Sequence, residues 1–196
     1  MKQKKFSGYI VGGVILLILI MLGITTRNSL VSKEEKIKLQ WSEVQNTYQR
    51  RLDLIPNLVN VVKGVSDFEQ TTLENIATAR AKALTGLSND EITSENYQNQ
   101  KQLQDSLAAA ANRMIILIEK YPTLKGTAAY SGLQTQLEGT ERRIKVARND
   151  FNAAVAGYNK KVRSFPSNIF AGLFGFKMKA GFEAVAGSDK AVEIKF

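Results

Sequence analysis

The chain has 196 residues, 27 Lys and Arg against 18 Asp and Glu, and neither His nor Cys. Those two missing types remove the commonest general bases, thiol nucleophiles and zinc ligands. The net charge of +9 points to acidic partners, of which a lipid surface is the nearest for a tethered chain.

The first element decides that tethering. A basic start, residues 1–5, leads into 21 uncharged residues from Phe6 to Thr26. About 20 such residues span the roughly 30 Å hydrocarbon layer as a helix. A cleaved signal peptide would carry a shorter apolar core and a small-x-small cleavage site. Here Leu22-Gly23-Ile24-Thr25-Thr26 offers neither, so residues 6–27 read as a single-pass anchor. Lys2, Lys4 and Lys5 before the span nearly balance Arg27, Lys33, Lys36 and Lys38 after it. Their tight grouping places the N-terminus inside and the body outside the cytoplasm.

Residues 28–164 follow a helical period almost throughout, with Pro56 and Pro122 as the strongest interruptions. A first helix over about Leu30–Val65 carries the stripe Ile37, Trp41, Val44, Tyr48, Leu52, Ile55, Val59 and Val62. It either continues the anchor or starts afresh at Asn28 or Ser29, and Pro56 predicts a kink. Ser66-Asp67 marks a break. A second helix over Phe68–Leu87 is expected to face Leu73, Ile76 and Leu84 inward. After a polar loop at 86–94, a third helix over Glu95–Tyr121 carries Leu103, Leu107, Ala110, Met114, Leu117 and Tyr121, and Tyr121-Pro122 ends it. The fourth, about Ala128–Val162, repeats Leu133, Leu137, Thr140, Ile144, Ala147, Phe151, Ala154 and Tyr158 at coiled-coil spacing. The fold class is therefore all-α: a transmembrane helix, then an elongated antiparallel bundle of about four long helices. Residues 165–196 form a short Phe-rich C-terminal segment, in which a helix from Pro166 would set Ile169, Phe170, Leu173 and Phe174 on one side. That segment caps the bundle, enters lipid beside Lys177 and Lys179, or docks on another subunit.

No constellation of residues marks a reaction. The chain has no phosphate-binding Gly-rich loop, and Glu34-Glu35 and Asp90-Glu91 lack partners at metal-ligand spacing. No catalytic residue, metal ligand or cofactor site is assigned. Two features remain. The stretch Trp41–Asn60 combines core spacing with Arg50, Arg51, Asp53 and the amides Asn57 and Asn60 around Pro56. Trp41, Tyr48, Arg50, Arg51, Asp53, Pro56 and Asn57 are its candidate partner-binding residues, beside a purely structural reading. The fourth helix carries Arg142, Arg143, Lys145, Arg148, Lys160, Lys161 and Arg163, either a solvated face or a contact for lipid or protein.

The Trp41–Asn60 stretch, with Arg50-Arg51-Leu52-Asp53-Leu54-Ile55-Pro56-Asn57-Leu58-Val59 at its centre, resembles the signature of the LemA family. The resemblance extends back to Asn28-Ser29-Leu30-Val31. It continues through Ile76-Ala77-Thr78-Ala79-Arg80, Tyr121-Pro122, Arg142-Arg143-Ile144, Phe151-Asn152, Tyr158-Asn159, Phe165-Pro166-Ser167-Asn168 and Gly175-Phe176. It implies a bacterial protein with an N-terminal anchor or lipoprotein signal and a helical-bundle body. It also implies no established enzymatic activity or cofactor, and loose ties to envelope functions such as membrane organisation and membrane proteolysis. The absence of a lipidation Cys is a departure from the lipoprotein form. The expectation is a non-enzymatic scaffold or adaptor in the bacterial inner membrane, contacting lipid and forming a homo-oligomer. The alternative is a regulator of a membrane protease or other integral protein. Neither nucleic acid nor a small-molecule substrate is expected.

Overall fold

The structure is a computed structural model and describes residues 2–63, 69–87 and 93–182. The expected break at Ser66-Asp67, Asp90-Glu91 and residues 183–196 lie outside the described residues. No strand occurs among those described. Among the described residues six helices follow in order: α1 (Lys2–Val62), α2 (Gln70–Leu87), α3 (Ser94–Ile118), α4 (Pro122–Lys125), α5 (Ala128–Arg163) and α6 (Ser167–Leu173).

Helix α1 resolves the first open question. Anchor and first soluble helix are one element, with no new start at Asn28 or Ser29 and no end at Pro56. The side-chain hydroxyl of Thr25 donates back to the Met21 carbonyl (2.9 Å), so it needs no partner from water or lipid. An interior proline costs about 3 kcal/mol. Here Ile55 and Leu58 beside it are almost fully buried, and their packing offsets that cost.

Contacts divide the described residues into two compact units: those up to Gln40 with 153–180, and those of 41–152 with 181 and 182. In the first, Leu30 and Ile37 of α1 and Ala154, Val155 and Tyr158 of α5 are buried. In the second, one core cluster joins Leu52, Ile55, Leu58 and Val62 of α1, Ile76 and Ala83 of α2, Leu107, Met114 and Ile118 of α3, and Leu133 and Leu137 of α5. Gly86, near the end of α2, lies against Gln100 and Leu103 in the first half of α3, as in an antiparallel hairpin. α5 runs back along α1, since Tyr48 meets Arg148 whereas Arg51 meets Glu141.

Three details differ from the sequence reading. Leu84 is 45% exposed, and Ala83 and Gly86 take the inward positions of α2. In α3 the buried row is Tyr97, Gln100, Gln104, Leu107, Ala111, Met114 and Ile118, with Leu103, Ala110, Leu117 and Tyr121 half-buried at its flank. The helix is thus rotated toward two glutamines, for a reason found in α1. Glu119 closes α3, and Pro122 opens the short α4, where its fixed φ and missing N–H suit a first helical turn. The α5 stripe is buried at all eight positions read from the sequence.

Candidate functional site

Within the second unit, the distinctive stretch of α1 turns its most unusual residues inward. Trp41 is 2% exposed and packs among Tyr97, Phe151 and Phe182, with ring centroids 5.3–6.1 Å apart. Tyr48 is fully buried, and its hydroxyl accepts from Arg148 Nε (2.9 Å). Arg148 Nη2 donates to Asp105 Oδ1 (2.8 Å). Burial raises the Tyr48 phenol above its ordinary pKa, against the opposing pull of the Arg148 guanidinium.

Arg51 is 2% exposed. Its Nε and Nη2 grip both carboxylate oxygens of Glu141, and Nη1 donates to the Gln104 carbonyl (2.9 Å) and Gln104 Oε1 (3.2 Å). A buried guanidinium requires a paired carboxylate and further acceptors. This explains why Gln104 faces inward in place of Leu103. Thr140 and Gln100, each 1% exposed, are also buried polar residues of this unit. Arg80 Nε donates to the Leu52 carbonyl (3.1 Å), adding α2 to the same stretch.

Of the seven candidate partner-binding residues, Trp41, Tyr48 and Arg51 therefore hold the chain's own interior together. Burial withholds them from direct contact with a partner. Arg50, Asp53 and Asn57 are exposed and Pro56 half-buried; Asp53 accepts from Gln49 one turn earlier (2.8 Å). Arg148 leaves the expected basic face for the interior pairs just described. Arg142, Arg143 and Lys145 stay exposed. Glu43, Thr47, Arg142, Arg143, Val146 and Asp150 line a groove of about 270 Å³.

The first unit holds the apolar surface. From Tyr9 to Met21 every large apolar side chain of α1 is about half exposed or more, whereas Gly23, Thr26 and Leu30 are buried. α6 sits where this change occurs. The Phe170 ring lies over Gly23, close enough that a Cβ there would meet it at 3.3 Å, and Phe174 approaches the same point. Among the residues expected to contact membrane or a subunit, Ile169, Leu173, Phe174 and Lys177 are exposed and Phe170 is half-buried. The four apolar residues thus do not share one surface. Phe170 turns to α1, whereas Ile169 and Leu173 stay exposed, as does Phe165 in the turn before α6.

Residues after α6 are held by devices that the sequence motifs contained without displaying. Gly175 has φ +75°, and the amides of Gly175 and Phe176 donate to the carbonyls of Gly172 (3.2 Å) and Ala171 (2.9 Å). This is a Schellman end, for which glycine is the favoured residue. Asn159 of α5 then pairs with the Lys179 backbone through both amide groups (2.9 and 2.7 Å), and Tyr158 donates to the Lys177 carbonyl (3.0 Å). Lys179 Nζ pairs with Glu34 (2.8 Å). In the second unit, Asn152 treats the Phe182 backbone as Asn159 treats that of Lys179 (2.7 and 3.2 Å).

Fold and surfaces define an all-helical protein whose first helix contains a segment long and apolar enough to cross a bilayer. Residues 40–196 match the LemA family, and the chain belongs to it. Among similar proteins, MamQ 1 of Paramagnetospirillum magneticum, a magnetosome protein, is 25% identical over 183 residues, covering 84% of this chain and 67% of the relative. The magnetosome protein MamQ of Magnetospirillum gryphiswaldense is 26% identical over 183 residues, with the same coverage. Protein LemA of Metamycoplasma hominis is 26% identical over 145 residues, covering 74% of this chain and 63% of that protein.

Proposed function

We propose that this protein is a non-enzymatic scaffold or adaptor of the bacterial inner membrane. α1 spans the bilayer, the helical body stands outside the cytoplasm, and copies assemble to organise the membrane. The carrying observation is the bare apolar surface of α1 from Tyr9 to Met21. Water would not tolerate a patch of that size, and lipid covers it without further cost. Two further facts support action through surfaces. Trp41, Tyr48 and Arg51 of the α1 signature are used internally, and the chain has no His or Cys to supply the commonest reactive groups. The matched MamQ proteins are named for the magnetosome, which is in keeping with an organising role.

Self-assembly follows from tethering, which raises the effective concentration of identical faces. Arg142, Arg143 and the 57% exposed Val146 offer one such face. The test is the size of the full-length protein in mild detergent, together with electron microscopy of vesicles carrying it. A species several times the 21.7 kDa chain that remodels vesicles is expected. A monomer that leaves vesicles unchanged and co-purifies with one integral protein contradicts the scaffold and makes the protein a regulator.

A further inference from the structure

We propose that α6 is a second membrane contact. Phe165, Ile169 and Leu173 enter the interface of the leaflet through which α1 leaves the bilayer. This rests on the reading of α1 as a membrane span.

Four observations place α6 there. The first is exposure. Phe165, Ile169 and Leu173 are 81%, 60% and 77% exposed; Ile169 and Leu173 stand four apart on one side of α6, and Phe165 lies in the turn just before it. Bulky apolar residues grouped in this way mark an interaction surface. The second is level. Phe170, on the other side of α6, is seated on Gly23, within the last turn of the uncharged run of α1. The contact fixes α6 beside the end of the span and not elsewhere on the body.

The third is length. From Gly23 on, one face of the run is covered, with Gly23 and Thr26 buried, whereas Ile24 on another face stays 55% exposed. On the covered face the bare helix from Tyr9 to Leu22 rises about 20 Å, short of a hydrocarbon layer of roughly 30 Å. α6 supplies apolar surface at the level where α1 falls short. The fourth is charge. Between Asp150 and Glu183 the chain carries no acidic residue, but it carries Lys160, Lys161, Arg163, Lys177 and Lys179. Arg163 and Lys177 flank α6 and are exposed. Basic side chains around an apolar face suit an anionic headgroup layer. Gly23 also gains a role: without a side chain, it lets the Phe170 ring rest on the helix backbone, which orients the opposite side of α6 outward.

The chain has no Cys, so single cysteines carry nitroxide labels without background. Full-length variants Ile15→Cys, Ile169→Cys, Leu173→Cys and Leu39→Cys are reconstituted in phosphatidylcholine–phosphatidylglycerol vesicles. Collision rates with oxygen and with a nickel chelate are then measured. All four positions are exposed, so the labels do not disturb the core. The expected result is oxygen-dominated relaxation at 15, 169 and 173, deepest at 15, and nickel-dominated relaxation at 39. Aqueous values at 169 and 173 with a lipid value at 15 overturn the proposal and leave the anchor standing. Labels at 169 and 173 shielded from both reagents overturn it in favour of docking on another copy. An aqueous value at 15 removes the anchor, and this proposal with it.

Discussion

Arg51 is a charged residue at a position that belongs to the buried stripe of α1, midway between Tyr48 and Ile55. Its carboxylate partner is not equally enclosed: the Glu141 side chain is 48% exposed against 2% for Arg51. The two ends of the pair should therefore respond differently. Glu141→Ala leaves a buried cation with only Gln104 as acceptor, which costs about 3 kcal/mol. Arg51→Met removes the buried charge and lets Glu141 hydrate, which costs about 1 kcal/mol. Chemical unfolding of both variants checks the order, and an Arg51→Met cost equal to that of Glu141→Ala contradicts it. Tyr48 gives a second prediction. Its folded pKa is raised by burial above the unfolded value of 10.0. The stability this contributes is complete below pH 10 and is lost as pH rises through the folded pKa. The stability difference between wild type and Tyr48→Phe should be constant to about pH 10 and shrink above it. A difference unchanged at higher pH contradicts the burial argument. Arg51 also shows what residue-level reading misses. The sequence stripe takes Leu52 at this turn, and the charge of Arg51 argues for the surface, whereas the structure buries it. Only the approach of Glu141, 90 positions away, reconciles the two.

At the scale of elements, legibility followed the chemistry of each stripe. α5 carries small or apolar residues and one threonine at its inward positions, and all eight were readable. α3 carries Gln100 and Gln104 at inward positions, so the apolar signal pointed one residue aside, toward Leu103. The grip of α5 on the segment after α6 was unreadable for another reason. A side-chain amide pairing with extended backbone has no periodicity, although Asn152 and Asn159 stand seven residues apart. Asn159→Ala removes two hydrogen bonds to Lys179, worth about 1 kcal/mol each. Exchange of the Lys179 amide should rise roughly tenfold or more. An unchanged rate would mean that Tyr158 and the Glu34–Lys179 pair hold the segment without it. Between α2 and α3, a Cβ at Gly86 would meet Leu103 Cδ1 at 2.7 Å. Gly86→Ala should destabilise by about 1 kcal/mol, and Leu103→Ala in the same chain should relieve part of that. Additive effects of the two changes would contradict this packing.

For the whole molecule, sequence and structure agree most closely where the physics is simplest. A long uncharged run forms a helix, and from Tyr9 to Met21 that helix stays bare. The body is equally legible as helices, because prolines and apolar spacing mark its elements. Function is less so: Trp41, Tyr48 and Arg51 of the conspicuous Trp41–Asn60 stretch serve the interior, whereas Arg50, Asp53 and Asn57 stay on the surface, among ordinary side chains. The account therefore stands on α1 as a lipid-embedded element, and alkaline carbonate extraction of membranes containing the full-length protein tests it most directly. The polypeptide is expected to stay intact in the membrane pellet. Its release, uncleaved, into the supernatant would contradict the span and everything built on it.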